Sequence, residues 1–322
     1  MRKKGRKGGI IVGPGNSRKA ELHSCLQQDL GASLRDMEWG QWRGNASFMP
    51  DIEDLLDGCV SMAFYLFPED GRNDEVLNLM RFCSSLEEYE VYWLAPEKPA
   101  SGILSWIEET RVRKYGFDFY LFSYVRLTRW QASLKRFFDI GVSLAGLLLT
   151  APLLLLCALL VKLGSPGGVF YTQVRIGLGG KPFRLYKFRS MKENAETSGP
   201  ELSNEEDRRV TSWGRIMRRY RIDELPQLWN VLGGDMSLIG YRPERKYFID
   251  KITRVAPFYV LLYAVKPGIS SQGMVDFGYA ESVEEMIVRL GADMDYLRDL
   301  SLGRDLKVIA KTLSVVVRGL GR

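Results

Sequence analysis

The chain of 322 residues has a single histidine, His23, and only four cysteines, Cys25, Cys59, Cys83 and Cys157, none in a paired spacing. Imidazole-based catalysis and the usual zinc ligand set are therefore disfavoured, which leaves oxygen ligands and points metal chemistry toward magnesium. Unpaired cysteines, one of them inside an apolar run, argue against a disulfide framework and for a reducing, cytoplasmic setting. No secretory signal is recognisable: Arg2, Lys3, Lys4, Arg6 and Lys7 precede only a short apolar stretch and read as a basic tail. Nucleic-acid motifs are missing too. The excess of 45 Lys and Arg over 39 Asp and Glu, a net charge of +6, therefore suits anionic lipid headgroups or a phosphorylated substrate, with no nucleic acid partner expected.

Charge is absent altogether from Ile140 to Val161, a Leu-rich run with Pro152 near its centre. As a helix it is long enough to reach across a hydrocarbon core. Lys135 and Arg136 flank it on one side and Lys162 on the other, so the positive-inside bias does not choose an orientation, and both ends can share one face. Pro152 removes a backbone donor and should bend the helix, which favours a segment that enters and leaves through the same leaflet. A plain kinked span and a buried core helix are the alternatives.

Residues 8 to 115 read as an α/β unit. Gly9 to Val12 is a strand candidate, followed by Gly13, Pro14 and Gly15 and a helix-like stretch around Lys19 to Gln28. Cys59 to Phe67 and Glu90 to Leu94 look like further strands, with a helix over Asp74 to Ser84, an alternation of Rossmann type. The dinucleotide fingerprint is incomplete, because Arg18 stands where its third glycine belongs. Residues 116–134 read as an aromatic linker. Phe117, Phe119, Tyr120, Phe122, Tyr124 and Trp130 suit the headgroup level, or ordinary packing.

The chemistry is expected after residue 162. Val169 to Arg175 and Lys181 to Met191 read as strands around Gly177, Gly179 and Gly180. Lys187 and Arg189 alternate in the second, which suits a diphosphate or a solvated edge equally. Residues 192 to 212 read as a mobile loop able to close over substrate. Arg215, Arg218, Arg219 and Arg221 then precede Asp223, Glu224 and Pro226. Either these carboxylates complement the start of a helix running to Leu232, or they hold a divalent cation and present a nucleophile beside phosphate-neutralising guanidinium groups. Arg242, after Gly240, ends a turn suited to clamping phosphate.

Taken in order, Lys135-Arg136-Phe137-Phe138-Asp139, the proline-split apolar run, Lys187-Phe188-Arg189-Ser190-Met191, Asp223-Glu224-Leu225-Pro226-Gln227, Gly234-Asp235-Met236-Ser237-Leu238, Arg242-Pro243-Glu244 and Lys266-Pro267-Gly268-Ile269 resemble the bacterial sugar transferases of the monotopic polyprenyl-phosphate phosphoglycosyl transferase superfamily, over about residues 135–320. The resemblance implies transfer of a sugar 1-phosphate from a UDP-sugar to undecaprenyl phosphate with release of UMP, the first membrane step of a surface glycan such as exopolysaccharide, capsule or O-antigen. It implies a re-entrant helix broken at Pro152 and a monotopic position on the cytoplasmic face of the bacterial inner membrane. Asp223 becomes the nucleophile of a phosphosugar-aspartyl intermediate, Glu224 completes the dyad, and Mg2+ is bound by Asp223 and Glu224. Lys187, Arg189 and Arg242 contact phosphates, and Arg219 of the arginine cluster joins them as a candidate.

The fold class is accordingly α/β (α+β): a Rossmann-like domain over 1–115, a linker over 116–134, the re-entrant helix over 135–163 and a mostly helical catalytic domain with a small sheet over 164–322. Larger family members usually carry transmembrane helices ahead of the Rossmann-like domain, so the architecture reads as shortened. The sequence departs from the family pattern at Ala151, where serine is common, at Tyr241, where proline is frequent, and at Ser271-Gln272-Gly273. Leu306, Ile309, Ala310, Leu313, Val316 and Val317 share one helical face, which suits either the membrane interface or core packing. Expected partners are a nucleotide sugar, polyprenyl phosphate and membrane lipids, with homo-oligomerisation left open. A membrane-bound nucleotide-sensing scaffold without turnover is the alternative of another class.

Overall fold

A computed structural model of the chain describes residues 6–13, 17–30, 34–37, 59–67, 73–84, 86, 88–95, 110–193, 195, 199–203 and 207–321. Two compact units emerge: Met1–Arg126 with Thr253–Leu261 and Leu297–Asp299, and Leu127–Ile252 with Leu262–Tyr296 and Leu300–Arg322.

The first unit contains β1 (Arg6–Val12), α1 (Ser17–Leu30), β2 (Leu34–Met37), β3 (Cys59–Leu66), α2 (Asn73–Cys83), β4 (Glu88–Leu94), β5 (Arg111–Lys114) and β6 (Phe117–Val125). Its six strands form one sheet in the order β2-β1-β3-β4-β6-β5. The first four run parallel, and β6 lies antiparallel to both β4 and β5. The continuous apolar runs Ile10 to Val12 and Met62 to Leu66 are buried throughout, as expected of parallel strands covered on both faces. The strand, helix, strand order predicted here holds, although β1 starts at Arg6, inside the expected basic tail. Pro14 and Gly15 of the glycine turn lie outside the described residues.

The linker expected over 116–134 is corrected. Phe117, Phe119, Tyr120, Phe122 and Tyr124 belong to β6 and are buried, because an antiparallel strand covered on both faces can place successive aromatics on either side. The sheet therefore runs past residue 115, and only Trp130, at 73% exposure, is free to meet a headgroup layer.

From Leu127 onward the elements are α3 (Arg129–Gly164), β7 (Phe170–Ile176), β8 (Pro182–Phe188), α4 (Ser212–Arg219), α5 (Gln227–Gly233), β9 (Ser237–Ile239), α6 (Lys246–Val255), β10 (Gly268–Ser270), α7 (Gln272–Phe277), α8 (Val283–Arg298) and α9 (Leu302–Val317). β7 and β8 form an antiparallel hairpin, and β9 and β10 a parallel pair. Gly240 and Gly268 sit where these backbones meet, and a Cβ on Gly240 would collide with the Lys266 carbonyl.

α3 starts at a capping box: the Thr128 hydroxyl accepts from Gln131 N–H at 3.3 Å and the Gln131 side chain accepts from Thr128 N–H at 3.0 Å. The helix is long and apolar enough to cross a membrane. Only 11% of its most apolar window is buried, which sets aside the core-helix alternative. Asp139, Ser143, Cys157 and Val161 form its packed stripe, while Phe137, Leu148, Leu149, Leu155 and Leu163 are exposed. The expected break at Pro152 is not seen as an end of helix: α3 continues through it, since one missing donor frees a single carbonyl of the turn before.

Both ends of α3 are tied to the second unit. Lys135 donates to Asp305 Oδ2 at 2.5 Å and to the Ile239 carbonyl at 3.2 Å, Arg136 donates to the carbonyls of Val231 and Leu232, and Asp139 accepts from Leu238 N–H. Near the other end, Cys157 and Val161 pack with Phe188 and Met217. Tyr296 donates to the second oxygen of Asp305 at 2.6 Å, so this carboxylate joins α3, α8 and α9. Replacing Asp305 with alanine leaves a cation and a buried hydroxyl without their acceptor. The variant is expected to lose roughly 3 kcal/mol of stability, read as a lowered midpoint of thermal unfolding in detergent; an unchanged midpoint would refute the anchoring role.

Candidate active site

The acidic pair sits on a short 3-10 turn, Ile222–Glu224, between α4 and α5. Arg221 enters that turn in the left-handed region, φ 55°, an uncommon conformation for a branched-chain-free but bulky residue and one that clusters at functional sites. Burial of Arg221 against Glu224, with Oε2 accepting from its Nε at 3.0 Å, and against the Ile269 carbonyl holds it there. Pro226 is the N-cap of α5 and no side chain makes a cap bond there, so neither carboxylate satisfies a free N–H of that helix directly.

Glu224 collects cations from three directions. Lys187 of β8 donates to Oε1 at 2.7 Å, Arg221 approaches Oε2 at 2.8 Å, and Arg242 reaches Oε1 at 3.4 Å. Asp223, also buried, makes no hydrogen bond or salt bridge among the described residues. Burial raises the carboxyl of Asp223 above the ordinary aspartate range, and Glu224 adds to this against the pull of Lys187 and Arg218. For Glu224 burial acts the same way but loses to Lys187, Arg221 and Arg242, which hold it well below the usual carboxylate range. Lys187 is pulled below the ordinary lysine value by burial, despite Glu224.

These residues open into a cavity of about 450 Å3, a size suited to a small organic ligand. Asp223, Glu224, Lys187, Arg189 and Arg242 all line it, so the structure brings together the residues picked from the sequence with one exception. Arg219 is not part of the lining. It donates to the Gly319 carbonyl, and its neighbour Arg218 borders the cavity instead, donating to Ser190 and Ser203 hydroxyls, because adjacent helical residues point in different directions. Arg189, just past the end of β8, spends its guanidinium on the carbonyls of Val161, Ser165 and Pro166 at the end of α3, where unsatisfied carbonyls attract cations. Lys187 and Arg189 thus serve different partners rather than one diphosphate-facing edge. Of the loop over 192–212, Lys192, Glu193, Glu201, Leu202 and Ser203 border the cavity.

Sequence reasoning missed Tyr279, whose ring lies 5.0 Å from the Arg242 guanidinium and 5.7 Å from that of Arg221. It also missed Arg175 and Arg289, joined through buried Glu244. The alternation of Gln173 and Arg175 in a predicted strand was the available signal for one of them; the other two come from distant segments. Magnesium is compatible with the donor set. The unengaged carboxylate of Asp223 is a hard oxygen donor in the cavity, and no group of three metal-ligating side chains occurs among the described residues, so substrate phosphates and water would complete the shell, as is usual for this ion.

Residues 130–319 match the bacterial sugar transferase family. The chain is 43% identical over 190 residues to the UDP-N-acetylgalactosamine-undecaprenyl-phosphate N-acetylgalactosaminephosphotransferase of Aeromonas hydrophila, covering 59% of this chain and 45% of that protein. It is 44% identical over 183 residues to the UDP-glucose:undecaprenyl-phosphate glucose-1-phosphate transferase of Caulobacter vibrioides, covering 56% and 68%. It is 37% identical over 198 residues to the exopolysaccharide production protein PSS of Rhizobium leguminosarum bv. phaseoli, covering 58% and 98%. The chain thus spans less than half the length of the Aeromonas relative and nearly all of the Rhizobium one.

The raised Asp223 carboxyl carries a stability consequence. The folded state favours its neutral form, so the stability it contributes is present below the ordinary aspartate range and is lost as pH rises through the raised value. Asp223→Asn removes that penalty at neutral pH. The variant should unfold a few degrees above wild type at pH 7, with the difference shrinking toward pH 4; a variant less stable than wild type at pH 7 would contradict the direction of the shift.

Proposed function

The chain belongs to the bacterial sugar transferase family, and we propose that it transfers a sugar 1-phosphate from a UDP-sugar to undecaprenyl phosphate, releasing UMP. The observation that carries this reading is the division between adjacent carboxylates: Glu224 is saturated by cations while buried Asp223 is left without a partner beside them. An ionised Asp223 oxygen attacks the β-phosphorus of the UDP-sugar. The bond from that phosphorus to the bridging oxygen breaks and UMP departs, leaving the sugar phosphate bound to Asp223 as an acyl phosphate. An oxygen of undecaprenyl phosphate then attacks the same phosphorus and frees the carboxylate, giving the undecaprenyl diphosphate sugar. Attack by an anion on an anionic phosphorus needs fixed positive charge, which Lys187, Arg218 and Arg242 supply at the cavity wall. Asp223 and Glu224, together with substrate phosphates, would hold magnesium, which would supply charge neutralisation at the phosphate oxygens as UMP leaves. The product would open assembly of an exopolysaccharide or related surface glycan.

The attachment of both ends of α3 to the unit that holds the cavity supports a re-entrant helix. A spanning helix would carry Arg136 and Lys162 to opposite sides of the bilayer, away from one common folded unit. The exposed row Leu306, Leu313 and Val317 on α9 adds a second apolar surface suited to the interface. These features support a monotopic membrane attachment, and the cytoplasmic face of the inner membrane is proposed with the UDP-sugar reading, because that is where such a donor is met.

Two experiments test the reading. Wild type incubated with UDP-glucose or UDP-N-acetylgalactosamine radiolabelled in the β-phosphate should retain label on Asp223 and release UMP before acceptor is added. A folded Asp223→Asn variant should do neither, and near-normal turnover by that variant would exclude the covalent route. For topology, single cysteines replacing Gln131 and Leu163 in a cysteine-free background should both resist a membrane-impermeant thiol reagent in intact cells and react after lysis; labelling of only one from outside would establish a spanning helix.

A further inference from the structure

The cavity extends beyond the carboxylate pair along one face of β7. Tyr171, Gln173 and Arg175 alternate onto that face and line it. Tyr171 is paired with Lys187 across the hairpin, which fixes this end of the arm beside Glu224. At the rise of an extended strand Arg175 lies roughly 13 Å further along.

The chemistry of the far end is lopsided. Arg175 Nη1 donates to Glu244 Oε2 at 3.1 Å and to the Pro243 carbonyl at 3.1 Å, while Arg289 Nη2 donates to Glu244 Oε1 at 2.6 Å. Both oxygens of Glu244 are therefore engaged. The Nη2 of Arg175 makes no hydrogen bond among the described residues and, unlike the enclosed Nε, is not sealed in the wall. Gln173 differs: its Nε2 donates to the Tyr171 hydroxyl at 2.9 Å, which leaves Oε1 as an acceptor with no hydrogen bond among the described residues. The arm thus offers unspent donors at its end, one acceptor on its side, and the exposed ring of Tyr171 at its entrance. A hexose brings hydroxyl donors in equal number with acceptors, and those donors would find the Glu244 oxygens already taken. Uracil brings two carbonyl acceptors, a single N–H donor and a flat face, which matches the inventory.

We propose that this arm is the nucleoside subsite, in which Gln173 accepts from the uracil N3–H, Nη2 of Arg175 donates to a uracil carbonyl, and Glu244 is the positioning residue that fixes Arg175 and Arg289. The assignment rests on the UDP-sugar reading above. It predicts discrimination against cytosine, whose N3 is an acceptor and whose 4-amino group is a donor, both mismatched to this wall.

Equilibrium binding of UMP, CMP and glucose 1-phosphate to the full chain in lipid nanodiscs tests it without turnover. Wild type should prefer UMP to CMP by about tenfold, the worth of one good hydrogen bond. Gln173→Ala should weaken UMP about tenfold, leave CMP and glucose 1-phosphate nearly unchanged and so erase the preference, whereas Gln173→Glu, which keeps an acceptor, should retain it. A preference that survives in Gln173→Ala overturns the subsite, as does selective loss of glucose 1-phosphate binding, which would put the sugar in this arm. Failure of wild type to bind either UMP or UDP would instead bring down the UDP-sugar reading, and the subsite with it.

Discussion

The catalytic unit depends on one buried carboxylate. Glu224 is 2% exposed, and it is tolerable there only because Lys187, Arg221 and Arg242 converge on it from a strand, a turn and a loop. The dependence is mutual. Without Glu224 three cations would face one another across a shared space, and Arg221 would lose the contact that accompanies its left-handed backbone. The same arrangement decides what Asp223 is. With the nearby cations drawn to its neighbour, burial governs Asp223, and two adjacent residues are pushed in opposite directions from similar starting acidities. Opposite shifts in two neighbouring carboxylates are a recurring way to separate roles within one site.

Strand alternation links that site to the apolar helix. In β8, Lys187 faces Glu224, and the next residue, Phe188, packs against Cys157 and Val161 of α3. Asn230 locks the strand to α5, its side chain accepting from Tyr186 N–H at 3.0 Å and donating to the Arg184 carbonyl at 2.6 Å. A shift of α3 relative to the unit would thus be felt within one residue of the lysine that organises the carboxylates. The tie explains why a surface helix rich in exposed leucines carries so many polar bonds near its start: Lys135, Arg136 and Asp139 set its register on the folded unit, a task that leucine packing alone performs loosely.

Elements with a strong local signal were legible in the sequence. The parallel strands of the first unit announce themselves as short apolar runs, α3 as an uncharged stretch, and Asp223-Glu224 as carboxylates amid arginines. In β6, aromatics on alternate residues suit a buried strand and an interfacial segment alike; what separates them is the pairing partner β4, invisible until the sheet is formed. Arg218 and Arg219 differ for a related reason, since a run of arginines shows charge but not the direction each one takes off a short helix. Tyr279, Arg289 and Glu244 meet in the cavity from well-separated segments, and no local pattern marks such a meeting.

Among the cations on Glu224, Arg242 is held least by it. Its contact is 3.4 Å, against 2.7 Å for Lys187 and 2.8 Å for Arg221, and ion pairs with hydrogen-bond character are the shorter ones. Arg242 is kept in place by other means, the face of Tyr279 at 5.0 Å and the sulfur of Met274 at 3.2 Å from Nη1. Neither competes strongly with an anion. A phosphate entering the cavity can therefore draw on Arg242 without unmaking the two short pairs that offset the burial of Glu224. The aromatic face restrains the guanidinium plane while leaving its edge donors to turn toward whichever oxygen is nearer, and that freedom is what a site needs if it must hold a diphosphate in one step and a covalent phosphosugar in the next.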